Sequence, residues 1–155
     1  MDRNQIQAAL DRCFGMMTDP EKFYVIQPYG IGDLIINGAL VHALLAKLNR
    51  KTATLIVQER FRGLKLAFDG VGEIKYLSHT VLYFVADFLK SIKQTFGSNF
   101  MLASPPADWV QPPDLNALEM CKQMFGLPLD AVFAPSCEGD HRRCKVTVRS
   151  KLFPR

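Results

Sequence analysis

A chain of 155 residues, 48% hydrophobic and 22% charged, has the length of one domain and enough apolar material for a core that needs no disulfide framework. Its net charge of +4 is concentrated at one end: Arg142, Arg143, Lys145, Arg149, Lys151 and Arg155 fall within residues 141–155 with no acid among them, and all 15 acidic residues lie elsewhere. A basic segment without an interleaved aromatic ladder reads as a solvated end and argues against a nucleic-acid binder.

Asp87 and Lys90 interrupt the most hydrophobic stretch, so no apolar run is expected to approach the ~18 residues that cross a bilayer. The opening MDRNQIQAAL lacks the basic start and apolar core of a signal peptide, which predicts a cytoplasmic protein. The four cysteines, Cys13, Cys121, Cys137 and Cys144, include no CxxC pair. Cys137, His141 and Cys144 are near one another, yet spacing alone is thin support for a metal, and reduced structural cysteines are the expectation.

In chain order, residues 3–15 carry Ile6, Ala9, Leu10 and Cys13 at helical spacing, and Gly15 with Asp19-Pro20 ends that helix. KFYVIQ at 22–27 is a short run of β-formers. Pro28, Gly30 and Gly32 close it, and from Asp33 a helix is predicted through Leu34, Ile35, Ala39, Leu40, Ala43, Leu44 and Leu48. TATLIV at 52–57 predicts a second strand, ERFRGLKLAF at 59–68 a helix stopped by Gly70-Val71-Gly72, and EIKYL at 73–77 a third strand. Residues 80–96 then predict a helix whose stripe Val81, Val85, Phe88, Leu89, Ile92 and Phe96 belongs to a core. NFMLAS at 99–104 predicts a fourth strand. A proline-rich loop leads to a helix at 114–125, capped by Asp114 and ended by Gly126.

Alternating strands and helices at this spacing imply right-handed βαβ units, hence an α/β, Rossmann-like parallel sheet with helices on both faces. This domain is expected to occupy residues 1–126. Residues 127–155 are expected to be an irregular basic tail or a linker, with KVTV as one short strand. The ligand crevice of such a fold lies at the carboxyl ends of the strands, where loops 28–33, 58–60, 78–80 and 104–113 gather.

The turn PYGIGDLIING, residues 28–38, leaves three readings open. As a dinucleotide fingerprint it lacks the glycine or alanine expected at Ile35, and as a Walker loop it lacks the lysine and hydroxyl. Asp33 would also repel a phosphate from the helix N-terminus, although Glu59 stands where a ribose-binding acid would sit. A carboxylate at the mouth of the crevice, supported by the amides after Gly30 and Gly32, suits proton abstraction from a sugar hydroxyl. The third reading is a helix cap that stabilises by ~1 kcal/mol.

Other crevice candidates are His79, placed after the third strand beside Ser78 and Thr80, and Ser104, Asp108 and Trp109 in the loop after the fourth. Each has a plain structural alternative: a turn with Ser78 or Thr80 as cap, and a tryptophan that anchors its loop. His42, nine residues beyond Asp33 on the long helix, is expected to point away from the turn.

Residues 29–77 resemble the start of the heptosyltransferase family, glycosyltransferase family nine, in Ile31-Gly32-Asp33, Gly38-Ala39-Leu40, ATLIV and Gly70-Val71-Gly72-Glu73-Ile74. The resemblance implies the acceptor-binding half of a GT-B transferase that inverts the anomeric centre, with no required metal or other cofactor. It gives Asp33 the role of general base and a sugar or glycan the role of acceptor. The nucleotide-sugar donor is expected mainly on a second domain or partner chain. Three departures stand out: Pro28-Tyr29 where a basic residue often precedes the turn, Gly38 where the family's helix carries proline, and no second domain, so little activity is expected of the chain alone. The alternative is a stand-alone nucleotide-binding or assembly module without catalysis.

Overall fold

The computed structural model describes residues 2–105, 108–110 and 112–132. The basic segment 141–155 and Cys137, His141 and Cys144 lie outside the described residues. In chain order the elements are α1 (Arg3–Phe14), β1 (Phe23–Ile26), α2 (Ile31–Leu48), β2 (Ala53–Gln58), β3 (Val71–Leu77), α3 (His79–Ser91), β4 (Phe100–Leu102) and α4 (Ala117–Met124). The four strands form one parallel sheet in the order β3-β2-β1-β4, the α/β Rossmann-like arrangement expected from the sequence.

The central strands β1 and β2 are buried at every position, which is why they read as continuous apolar runs and not as alternating ones. One face, with Phe23, Val25, Leu55, Val57 and Met101, packs against Leu34, Leu40, Val41 and Leu44 of α2 and Cys121 of α4. The other, with Tyr24, Ile26, Ile56, Leu77 and Leu102, packs against Ala9 and Cys13 of α1 and Leu82, Val85 and Leu89 of α3. The core continues past residue 126 through Leu127, with Ala131 packed against it.

α2 is 18 residues long with a mean hydropathy of 1.5, long and apolar enough by length and composition to cross a membrane, contrary to the expectation that no such run exists. Half of it is buried against the sheet and α4, so its apolarity is that of a central core helix.

Three local expectations fail for identifiable reasons. The helical part of residues 59–68 is limited to a 3-10 turn at Glu59–Phe61, and the chain beyond it carries the Phe68 ring to α2. A Cβ at Gly38 would stand 2.6 Å from that ring, so the ring packs directly against the bare helix backbone. α4 is capped by Asn116, not Asp114: Asn116 accepts from the Glu119 amide at 2.9 Å while Glu119 reaches back to the Asn116 amide at 3.3 Å, a capping box. α3 ends at Ser91, because Lys93 takes φ 55, and Phe96 bridges antiparallel to Met101 instead.

The two edges of the sheet differ. Outside β4, residues 95–97 run antiparallel, with Leu102 N–H to Thr95 C=O at 2.8 Å and Gly97 N–H to Phe100 C=O at 2.9 Å. At the opposite edge, β3 pairs with β2 on one side only among the described residues.

Candidate functional site

The chain runs outward from β1 through β2 to β3, then returns to the other side of β1 as β4. The reversal falls between β1 and β4, where ligand crevices open at the carboxyl ends of the strands in such sheets. The loop after β1 forms one wall of this switch point and Ala103 to Pro105 the other.

The first wall is held from beneath by amides. Gln27, at the end of β1, accepts from Asn37 Nδ2 of α2 at 2.8 Å, and Gln58 Nε2, at the end of β2, donates to the Pro28 carbonyl at 2.7 Å. All three side chains are buried. Gln27 Nε2, Asn37 Oδ1 and Gln58 Oε1 have no hydrogen-bond partner among the described residues, so part of their desolvation stays uncompensated beneath the turn.

Above them α2 begins at Gly30, its N-cap, without a side-chain hydrogen bond. Asp33 is therefore no cap. It sits in the first turn, and the first helical bond runs from Leu34 N–H to Gly30 C=O at 3.0 Å. The amides of Ile31, Gly32 and Asp33 precede that bond and face outward as donors. The Arg60 guanidinium, after β2, lies beside the turn, 3.9 Å from where a Gly30 Cβ would stand.

The Asp33 side chain is exposed, and no hydrogen bond or ion pair holds its carboxylate among the described residues. The protein around it removes enough water to raise its carboxyl above the ordinary value. Its charge reaches Cys121 on α4, a thiol pushed up to about 12 by burial first and by Asp33 second. Cys13 is likewise pushed up to about 12 by burial, so both are inert core thiols. Among the described residues no group of His, Cys, Asp and Glu is arranged to hold a metal.

The other flank belongs to α3. Ser78 caps that helix by accepting from the Val81 amide at 3.3 Å. His79 is exposed and meets the Tyr83 ring edge-on at 6.0 Å, and Tyr83 in turn stands 6.4 Å from the Tyr29 ring. The Tyr29 hydroxyl lies 2.7 Å from Ser104 Oγ and 3.5 Å from Lys90 Nζ. Ser104 also donates to the Pro105 carbonyl at 3.2 Å. With its one proton used there, Ser104 accepts from Tyr29, and Tyr29 accepts from Lys90. The chain of donors runs from ammonium to carbonyl straight across the switch point.

The residues singled out in the sequence thus divide. Asp33, Gly30 and Gly32 share the α2 turn. Ser104 is buried and ties the two walls together, so it offers little to a ligand. His79 stands on the α3 flank and is joined to the α2 turn only through Tyr83 and Tyr29. Asp108 is exposed and Trp109 half-exposed, and no hydrogen bond or ring contact fixes either among the described residues. His42 is half-buried with a buried, unpartnered Nδ1, as expected of a packed histidine. Glu59 is engaged with Arg62 at 3.3 Å. Sequence reasoning missed Tyr29, Lys90 and Arg60. The usable signal was the seven-residue spacing of Tyr83 and Lys90, which puts both on one side of α3.

The fold is that of a Rossmann-like α/β domain whose switch point lies between the carboxyl ends of β1 and β4. Set against known proteins, the chain matches no family model, no curated protein and no solved structure.

Proposed function

We propose that this chain is the acceptor-side half of an inverting glycosyltransferase, acting in the cytoplasm with Asp33 as general base. The observation that carries the reading is the state of Asp33: a carboxylate at the carboxyl rim of a parallel sheet, exposed, without hydrogen-bond or ion-pair partner among the described residues, its pKa raised by desolvation. A carboxylate that neither caps its helix nor pairs with a cation is poised to accept a proton, and a raised pKa makes it a better acceptor. In the reaction the acceptor hydroxyl gives its proton to Asp33. The freed oxygen pair attacks the anomeric carbon from the face opposite the leaving group, and the nucleotide departs with the bonding pair. The donor is held by a domain facing this rim, supplied from outside residues 1–132, and the Asn37–Gln27 and Gln58–Pro28 hydrogen bonds beneath the α2 turn keep the backbone of the base in place.

The test is to supply a donor-binding partner domain with a nucleotide-activated heptose or hexose and to follow nucleotide release. Asp33→Ala should lower turnover by about 10²–10⁴-fold, the range of general-base contributions, with the unfolding midpoint unchanged. Turnover equal to that of the unaltered chain would remove Asp33 from the mechanism.

One observation favours a second reading, a nucleotide-binding module. The uncapped N-terminus of α2, with the Arg60 guanidinium beside Gly30, presents donors suited to a phosphate, opposed by the charge of Asp33. Calorimetric titration of the chain alone with ADP, UDP and GDP separates the two readings, since clear affinity favours the module.

A further inference from the structure

The β3 edge, paired on one side among the described residues, carries an inference independent of the rim chemistry. Among the described residues β3 is a seven-residue edge strand paired on one side, whereas the three-residue edge strand β4 is closed off by residues 95–97. Edge strands invite further pairing unless charge, proline, a bulge or a covering segment prevents it, and the one irregularity of β3 lies at its first residues, Val71 to Glu73. In β3, Val71-Gly72-Glu73-Ile74-Lys75-Tyr76-Leu77, the only charges are Glu73 and Lys75, placed symmetrically about Ile74.

We propose that β3 is the docking strand for a second copy of this chain, pairing antiparallel with its own counterpart about a two-fold axis at Ile74. Such a pairing is isologous, so each contact occurs twice. It sets Glu73 of each copy directly opposite Lys75 of the other, the favourable cross-strand arrangement. Lysines alone on this edge would have met lysines and kept the copies apart. The side chains of Glu73 and Lys75 are 44% and 31% exposed, so both are accessible to a second chain. Within its own chain Glu73 lies 3.6 Å from Lys22 and 3.8 Å from Lys75, so it is an acid flanked by bases.

The β2–β3 ladder skips Gly72, with Ala53 opposite Val71 and Thr54 opposite Glu73, so the regular part of the edge runs from Glu73 to Leu77; continued past it, the pairing brings Tyr76 of one copy against Gly72 of the other. Gly72 is exposed and has only Thr52 within 4 Å of where a Cβ would be, so the incoming ring has space. Beside that position a groove of about 350 Å³ opens between β3 and the preceding segment, lined by Leu64, Leu66, Val71, Ile74 and Tyr76 among others. Leu64 is 46% exposed at its margin. The product is a continuous eight-stranded sheet with two rims facing outward. A strand-edge interface of this length is at the small end of specific interfaces, so the dimer should dissociate on dilution.

The full chain tests this by sedimentation velocity over a concentration series and by amide hydrogen exchange of β3 at the two ends of that series. The expected result is a dimer at high concentration and β3 amides protected only there. Glu73→Lys and Lys75→Glu should each weaken association by about tenfold, as two attractive pairs become repulsive, and the double exchange should restore it. Lys75 also donates to the Met16 carbonyl at 3.0 Å, so restoration in the double variant and exchange in the unaltered chain guard against a folding artefact. A monomer at every concentration, a dimer indifferent to both charge reversals, or a dimer that forms only after residues 133–155 are deleted would overturn the proposal. The last result would mean that the chain's own C-terminal segment occupies the edge.

Discussion

The two flanks of the rim are built on opposite plans. On the α3 side nearly every polar group is engaged: Ser78 caps its helix, Tyr29 bonds Ser104, Lys90 approaches Tyr29, and the rings of Tyr29, Tyr83 and His79 stand in contact. On the α2 side the groups that face outward, the Asp33 carboxylate and the amides of the first turn, are left open among the described residues. Hydrogen bonds already made within the protein fix position, and those not yet made are available to a ligand. The contrast therefore assigns rigidity to one flank and chemistry to the other, and a set of substitutions can break or sharpen that assignment.

The largest effect should come from Asp33→Ala in the complemented transfer assay, a loss equivalent to about 3–5 kcal/mol of transition-state stabilisation with no matching loss in a urea unfolding curve. Next, Tyr29→Phe removes the hydroxyl that links the walls, and urea unfolding should show a loss of about 1–2 kcal/mol. A smaller loss, about 1 kcal/mol, is expected for Ser78→Ala, which strips α3 of its cap.

Asp33→Asn should behave in the opposite sense. Because burial raises the Asp33 carboxyl in the folded state, its stability contribution is fully present below the ordinary carboxylate range and is lost as pH rises through the raised value. The Asn variant should therefore match the unaltered chain in acid and become slightly the more stable toward neutrality, as thermal melts across that range will register. Least of all, His79→Ala should change stability by under about 0.5 kcal/mol, as at ordinary exposed positions. If Tyr29→Phe and Ser78→Ala prove no costlier than His79→Ala, the rigidity assigned to the α3 flank is wrong.

The fold was legible where a segment is buried on both sides or carries its own stop. β1 and β2 are apolar at nearly every position because both faces are covered, and Gly70 and Gly126 end their segments with φ +85 and +67. Segment 59–68 misled because Phe61, Leu64 and Phe68 recur at helical spacing, while their partners lie on α2 and in the groove rather than along one helix face. Nor does any nearby residue type announce the turn at Lys93. At α4 the better signal was present, since Asn116 and Glu119 have capping-box spacing, and Asp114 merely comes first. In the site, Asp33 and its turn could be read from a strand, a glycine and an apolar helix in succession. The Tyr29–Ser104 bond could not, because it joins residues 75 positions apart that only the return of the chain to the far side of β1 brings together.

The contact between Gly38 and Phe68 has a consequence for descent as well as for packing. A ring lying on bare helix backbone makes the two positions a single heritable unit: any side chain at 38, proline included, collides with the phenyl group. Gly38→Ala alone should be harmful, and Phe68→Ala alone should leave a void of ring size, but together they should be milder than their sum. Descendants of this chain can therefore exchange the pair in concert, and the helix that carries Asp33 is free to change at its middle only as fast as a residue thirty positions away allows.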